Sequence, residues 1–225
     1  MKVTIIPVTA YLQNASLVVC EETGKAALVD PGGEVDRLLD AVAASGATLQ
    51  KVLVTHGHVD HCGGAAEVAE REGVPIEGPH RDDAFWIDQL VRQAALFGVA
   101  GARAFTPDRW LAAGDRVSVG NATFDVHHCP GHTPGHVVFA NRAARLAFVG
   151  DVLFHGSIGR TDFPRGDFDT LIRSITRELW PLGDDVEFVP GHGPGSTFGE
   201  ERRSNAFVAD SALAGREVPR WRGGV

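Results

Sequence analysis

The sequence predicts an α/β protein in which two β-sheets pack face to face with helices on their outer surfaces. The chain reads as two halves, each running strands, then a helix, then a strand, and no Pro/Gly/Ser-rich linker divides them. No period of about 20 to 50 residues recurs, which excludes a solenoid. At 225 residues the chain lies within the roughly 250 that one core supports, so a single domain over residues 1–225 is expected.

Each element has a local reason. Short apolar runs with β-branched residues mark strands at Val3–Val8, Ala15–Cys20 and Ala26–Val29, with Thr23-Gly24 as a hairpin turn between the last two. Asp30-Pro31-Gly32-Gly33 ends the run. Val35, Leu38, Leu39 and Val42 fall on one face of a helix over Glu34–Ala44, which Gly46 stops. Lys51–Thr55 reads as a buried strand, and a helix follows Gly63-Gly64 to about Glu72. Pro75-Ile76 is a strand fragment, His80–Phe97 a helix, and the irregular stretch Gly98–Trp110 a candidate lid over a site. The second half gives strands at Arg116–Val119, Thr123–His128, His136–Ala140 and Arg145–Val149. A helix over Asp167–Trp180, a strand at Asp185–Val189 and a last helix from Gly199 to Phe207 complete it.

Composition excludes whole classes. Hydrophobic content of 44% and charged content of 22% are those of a soluble globular protein. The 21 Lys+Arg against 29 Asp+Glu leave a charge of −8, which argues against a nucleic-acid or membrane-surface binder. Cys20, Cys62 and Cys129 are too few and too scattered for a disulfide framework and fit reduced thiols. Met1–Ala10 is too short and too polar for a signal peptide, and no stretch nears the roughly 18 apolar residues of a membrane span. A cytoplasmic protein is expected, with the oligomeric state left open.

Ten His and 27 Gly cluster together along the chain. Histidine is the commonest metal ligand, and glycine lets a backbone turn closely about a site. The densest cluster, His56-x-His58-x-Asp60-His61, directly follows a strand. In extended backbone alternate side chains point the same way, so His56, His58 and Asp60 converge while His61 turns toward an adjacent point. That arrangement suits two metal ions better than one, and imidazoles with a carboxylate are ligands that Zn, Fe and Mn accept. Further candidates stand at strand ends: His132 in Pro130-Gly131-His132, Asp151 after Val149-Gly150, and His192 in Pro190-Gly191-His192. Ligands at several strand ends are what a site rimming a sheet requires.

From Asp30-Pro31-Gly32-Gly33 to His192 the chain resembles the metallo-β-lactamase superfamily, specifically its glyoxalase II branch. The resemblance implies a four-layer αββα sandwich of two mixed β-sheets flanked by helices, with a dinuclear metal site at one edge. Carried over by motif, one metal takes His56, His58 and His132, the other takes Asp60, His61 and His192, and Asp151 bridges them. The implied activity is hydrolysis of a small-molecule thioester such as S-lactoylglutathione. Two divalent ions, Zn foremost with Fe or Mn as alternatives, lower the pKa of a bridging water to give hydroxide, and one polarises the carbonyl. The oxyanion is stabilised by metal and the thiolate leaves; Asp60 is implied to orient the nucleophile.

Ser157-Ile158-Gly159-Arg160 is similar to the glyoxalase II loop that ends in Gly-Lys and grips the glutathione glycine carboxylate. Arg160 either takes that role bidentately or pairs with Asp162 or Asp167, and Arg165 is a second candidate. The chain stops at Val225 and is read as lacking the C-terminal helical domain of two-domain glyoxalase II enzymes. It is more similar to the shorter, single-domain bacterial glyoxalase II-like proteins, including their run Gly159-Arg160-Thr161-Asp162-Phe163-Pro164-Arg165-Gly166-Asp167. Gly159–Phe163 is also similar to persulfide dioxygenases of the same superfamily. That resemblance implies an alternative in which one Fe is held by His56, His132 and Asp151. Other residues receive plainer readings. Cys62 and Cys129 are core thiols, His136 stands behind a ligand and His155 flanks the substrate channel. His80 starts a helix, and Phe85, Trp86 and Phe97 pack in the core or a lid.

Overall fold

The alternation of side chains along the strands divides the core into three apolar layers. The computed structural model describes residues 1–214; residues 215–225, which the single-domain expectation includes, lie outside them. The first half forms β1 (Lys2–Val8), β2 (Gln13–Cys20), β3 (Lys25–Val29), α1 (Val35–Ser45), β4 (Thr48–Leu53), α2 (Val59–Cys62), α3 (Ala65–Glu72), β5 (Ile76–Glu77), α4 (Ala84–Ile87) and α5 (Leu90–Phe97). The second forms β6 (Arg116–Val119), β7 (Ala122–His128), β8 (Val137–Asn141), β9 (Leu146–Gly150), β10 (Leu153–Phe154), β11 (Ser157–Ile158), α6 (Phe168–Ser174), β12 (Glu187–Pro190), β13 (Ser196–Thr197), α7 (Phe198–Ser204) and α8 (Asp210–Leu213).

The strands make a sheet in the order β1-β2-β3-β4-β5, a sheet in the order β13-β12-β9-β8-β7-β6, and a small β10-β11 hairpin. Both large sheets are mixed: β3, β4 and β5 are parallel, as are β9 and β12, while the other pairs are antiparallel. In β3, Ala27 and Val29 pack with Val137, Phe139 and Phe148 of the other sheet. Their alternates Ala26 and Leu28 pack with Val35, Leu38 and Val42 of α1. In β8 the same parity sends Val138 and Ala140 toward Leu171 and Ile172 of α6. Period-2 alternation thus buries both faces of each sheet, giving the helix–sheet–sheet–helix layers that the resemblance implies.

Two expectations need correction. The continuous helix over His80–Phe97 is a 3₁₀ turn at Arg81–Asp83 followed by α4 and α5, interrupted at Asp88 and Gln89. Two buried polar side chains dock this segment onto the His56–His61 loop. Asp83 accepts from Gly57 N–H at 2.8 Å. Gln93 accepts from Val59 N–H at 3.0 Å and donates to Gly57 O at 3.2 Å. The stretch Gly98–Trp110 is irregular, as expected, but it is no lid. Val99 is buried with Phe105 and Trp110 packed against the same outer layer, and Arg103 pairs with Glu70 of α3. The helix from Asp167 is present, with Asp167 Oδ1 capping Thr170 N–H at 2.7 Å, and it widens to π form at Ile175–Leu179. No helix among the described residues is long and apolar enough to cross a membrane.

Strand direction positions the site. The ends of β3, β4, β9 and β12 point to one edge, and β7, antiparallel to β8 as β8 is to β9, ends there too. The sheets are stitched at that edge, with Val137 N–H donating to Thr55 O at 2.8 Å and Asn14 N–H to Gly191 O at 2.7 Å.

Candidate metal centre

Each side chain of the centre follows a strand end. His56, His58, Asp60 and His61 follow β4, His132 follows β7, Asp151 follows β9 and His192 follows β12. Two clusters result. The ring nitrogens of His56, His58 and His132 converge, with His58 Nδ1 3.1 Å from His56 Nε2 and 2.9 Å from His132 Nε2. Asp60, His61 and His192 form the second, with His192 Nε2 3.2 Å from Asp60 Oδ2. Asp151 lies between them. Its Oδ1 is 3.2 Å from His61 Nε2, and its Oδ2 is 3.6 Å from His132 Nε2 and 3.8 Å from His192 Nε2.

The outward nitrogens show which lone pairs face inward. His132 Nδ1–H donates to Arg160 O at 2.8 Å and His192 Nδ1–H to Tyr11 O at 3.1 Å. His61 Nδ1–H donates to Asp30 Oδ2 at 2.9 Å. Thr55 Oγ1 gives its proton to Asp30 Oδ2 and accepts from His56 Nδ1–H at 3.0 Å. Each of these four imidazoles therefore carries its proton on the far side and presents Nε2 to the centre, the tautomer that metal ligation needs. His58 is turned the other way, with Nδ1 inward and Nε2 buried without a partner.

Burial pushes His56, His58, His132 and His136 below the ordinary imidazole range, and neighbouring imidazoles push His56 and His136 further down. His61 and His192 are the exceptions, His192 being raised against burial by Asp60 and Asp151. Burial opposes the charge on His61, but Asp151 and Asp60 win and hold its pKa well above the ordinary value. Burial would raise the Asp151 carboxyl, and His61 instead drives it far down. The buried carboxylates thus favour positive charge at this point, which a proton on His61 or a bound cation would supply.

The residues fit divalent cations. His61 Nε2 and Asp151 Oδ1 are buried without an aligned hydrogen-bond partner, a cost that native interiors avoid unless something else satisfies the atoms. Glycine supplies the space: a Cβ at Gly191 would overlap Asp151 Oδ1 and His61. A third group, His80, Asp82 and His128, is a poorer fit. The His80 and His128 rings stack at 4.2 Å and 23°, so their in-plane lone pairs run side by side rather than converging.

Behind the two clusters stand Asp30 and Asp83, which motif reading left without a role, and His136. Asp30, at φ 50, accepts from Thr55 N–H, Thr55 Oγ1 and His61 Nδ1. His136 stands behind a ligand, as expected: its Nε2 accepts Asp151 N–H at 3.0 Å and its ring stacks on His56 at 4.5 Å. Asp83, fully buried, accepts from Gly57 N–H, Thr133 Oγ1–H and Gly135 N–H, joining the loops that carry His56 and His132. Asp30→Ala removes the shared acceptor behind His56 and His61. Metal affinity is expected to fall about 10- to 100-fold, read by competition with a chelator; unchanged affinity would show that Asp30 does not orient these ligands.

A cavity of about 240 Å³ opens on the centre, lined by His58, Asp60, His132, Asp151 and His192 and walled by Tyr11, Trp86, Phe97 and Phe163. Arg160 lines it too. Its guanidinium forks onto Asp162, with both contacts at 2.7 Å, and lies 4.0 Å over the Phe163 ring. Arg165 is not among the lining residues and stacks on Phe85 at 4.0 Å. His155 is also absent from the lining and lies near Glu201. Trp86 and Phe97 line the cavity rather than serving only as packing.

The family model described as "Metallo-beta-lactamase superfamily" matches residues 8–198, a span that contains every residue of both clusters. The chain belongs to the metallo-beta-lactamase superfamily. Within the superfamily it is 46% identical over 209 residues to hydroxyacylglutathione hydrolase GloC of Haemophilus influenzae, covering 92% of this chain and 98% of that one. Among solved structures it is similar to the BLEG-1 B3 metallo-beta-lactamase, at TM-score 0.84 and 32% identity over 92% of this chain and 99% of that one. It is similarly close to TTHA1623 in a di-iron-bound form, at TM-score 0.83 and 36% identity over 91% and 99%. These likenesses match the layered superfamily fold, and the paired His/Asp clusters at the strand ends are residues that could hold metal ions.

Proposed function

We propose that the protein is a metal-dependent hydrolase of glutathione thioesters, with S-lactoylglutathione as the reference substrate. The observation that carries the reading is Asp151, set between two ligand clusters with one oxygen toward His61 and the other toward His132 and His192. The 46% identity to a hydroxyacylglutathione hydrolase supports the substrate class.

In this reading one cation is held by His56, His58 and His132, the other by Asp60, His61 and His192, and Asp151 serves both. Bound there, such a pair supplies Lewis acidity and an ionised water at neutral pH. Zn is the first choice, with Fe or Mn as alternatives, because imidazole and carboxylate ligands suit all three. The protein's own residues do the positioning. Asp60 Oδ2, 3.2 Å from His192 Nε2 at the cavity wall, accepts a hydrogen bond from the nucleophilic water and orients it. Asp30, Thr55 and His136 hold the ligand geometry, while Trp86 and Phe163 flank His58 and keep bulk water from that side. The water's oxygen joins the carbonyl carbon, the C–S bond breaks, and the thiol leaves with a proton. One domain suffices for this chemistry, since every residue it uses lies between Asp30 and His192. The three cysteines are buried and unpaired, which supports a reducing, cytoplasmic setting.

In the alternative, a one-iron persulfide dioxygenase, Asp60, His61 and His192 converge without a metal to serve; the 46% identity to a hydroxyacylglutathione hydrolase favours the hydrolase. The test is thiol release from S-lactoylglutathione by metal-loaded protein, run beside oxygen uptake with glutathione persulfide. Thiol release without oxygen uptake is expected, and the reverse would make the protein an oxygenase.

Arg160 holds the substrate carboxylate in this reading, in exchange for Asp162. Both side chains are mostly exposed, at 58% and 68%, so the exchange is inexpensive. Arg160→Ala is expected to raise KM about 3- to 10-fold with a smaller effect on kcat. Asp162→Asn frees the guanidinium and is expected to lower KM. Equal effects of Arg160→Ala on glutathione and neutral thioesters would make Arg160 a structural residue.

A further inference from the structure

The cavity has two aromatic walls on opposite sides of Asp151, and they differ in polarity. On the His58 and His132 side stand Trp86, with its ring 4.6 Å from His58, and Phe163 with the Arg160 guanidinium over it. Among the described residues this wall carries the only arginine of the lining. On the Asp60 and His192 side stand Tyr11 and Phe97, in edge contact at 6.3 Å and 79°. Tyr11 is tied to that side through its carbonyl, which accepts from His192 Nδ1–H. Both rings remain open to water, Tyr11 at 43% and Phe97 at 40% exposure.

A thioester held with its carbonyl at Asp151 and its anionic thiol moiety toward Arg160 extends its acyl group toward Tyr11 and Phe97. Tyr11 O–H donates to Phe97 O at 2.9 Å. The Gln93 carboxamide is committed at both ends: Oε1 accepts Val59 N–H, and Nε2 donates to Gly57 O and Trp86 O. The Tyr11 hydroxyl keeps its acceptor lone pairs, so what this wall discriminates is the apolar area an acyl group covers. An alkyl chain would cover two half-exposed aromatic rings.

We infer that Tyr11 and Phe97 form an apolar acyl subsite, so that the preferred substrates are thioesters whose acyl groups carry several carbons. The inference rests on the thioester-hydrolase reading above and narrows its acyl half.

The test compares kcat/KM for lactoyl, acetyl, butyryl and hexanoyl thioesters, each on glutathione and each on N-acetylcysteamine. A fully buried methylene is worth about fourfold. With partial covering, kcat/KM is expected to rise about tenfold or more from acetyl to hexanoyl in both series, with lactoyl below butyryl. Phe97→Ser is expected to flatten the rise to about threefold or less, and Phe97→Leu to keep most of it. The slope compares substrates on one protein, so a general loss of folding or metal in a variant cancels. A flat slope in the unmodified protein overturns the subsite, as does a slope unaltered in both Phe97→Ser and Tyr11→Ser. Turnover of glutathione thioesters with a flat slope sinks the subsite and leaves the parent reading standing. A slope on N-acetylcysteamine thioesters without glutathione turnover does the opposite, and no hydrolysis in either series removes both.

Discussion

Asp151→Ala is expected to lower kcat by more than about 100-fold and to reduce bound metal below two ions per chain. Substitutions behind a metal ligand already cost about 10- to 100-fold, and Asp151 lies between the clusters, 3.2 Å from His61 Nε2 and 3.6 Å from His132 Nε2. Its removal takes away the anion that two like-charged ions would share and leaves His61 Nε2 without its 3.2 Å neighbour. Asp151→Asn keeps the shape but not the charge, and should fall between alanine and the unmodified protein in metal content. Elemental analysis beside thiol-release kinetics checks both. Two retained ions with near-normal turnover would show that Asp151 is not the shared ligand.

Stripping the metal should remove a large part of the stability as well as the activity. A ligand that binds only the folded state, present at about 1,000 times its Kd, stabilises by about 4 kcal/mol. For a chain of this size that corresponds to roughly 8–16 °C in Tm. The effect has a pH signature. In the metal-free protein Asp151 and Asp60 raise the His61 pKa well above its ordinary value, against burial, which favours the protonated ring. Metal must displace that proton, so binding releases protons near pH 7 and apparent affinity falls as pH is lowered. Calorimetry in buffers of different ionisation enthalpy reads the release. No difference between buffers, or a Tm indifferent to metal, would contradict the assignment.

The two His/Asp clusters were largely legible in the sequence because their residues are local. His56, His58, Asp60 and His61 occupy one short loop, and His132, Asp151 and His192 each stand beside a glycine at a strand end. The layered fold was legible because alternation in β3 and β8 assigns each side chain to one of two buried faces. What stayed hidden depends on contacts between distant segments. Asp83 sits in an ordinary acidic pair, and only the folded chain brings Gly57, Thr133 and Gly135 onto its carboxylate. The same docking breaks the segment after His80 into α4 and α5, where periodicity alone suggests one helix. Trp86 and Phe97 read as packing because an aromatic ring in a helix looks alike whether it faces a core or a substrate cavity.

The most direct measurement is thiol release from S-lactoylglutathione as metal is returned stepwise to stripped protein. The account predicts a rate that keeps rising until two equivalents per chain are bound and then stays level, with no oxygen consumed. A full rate with one equivalent or none, or turnover that requires oxygen, would contradict it.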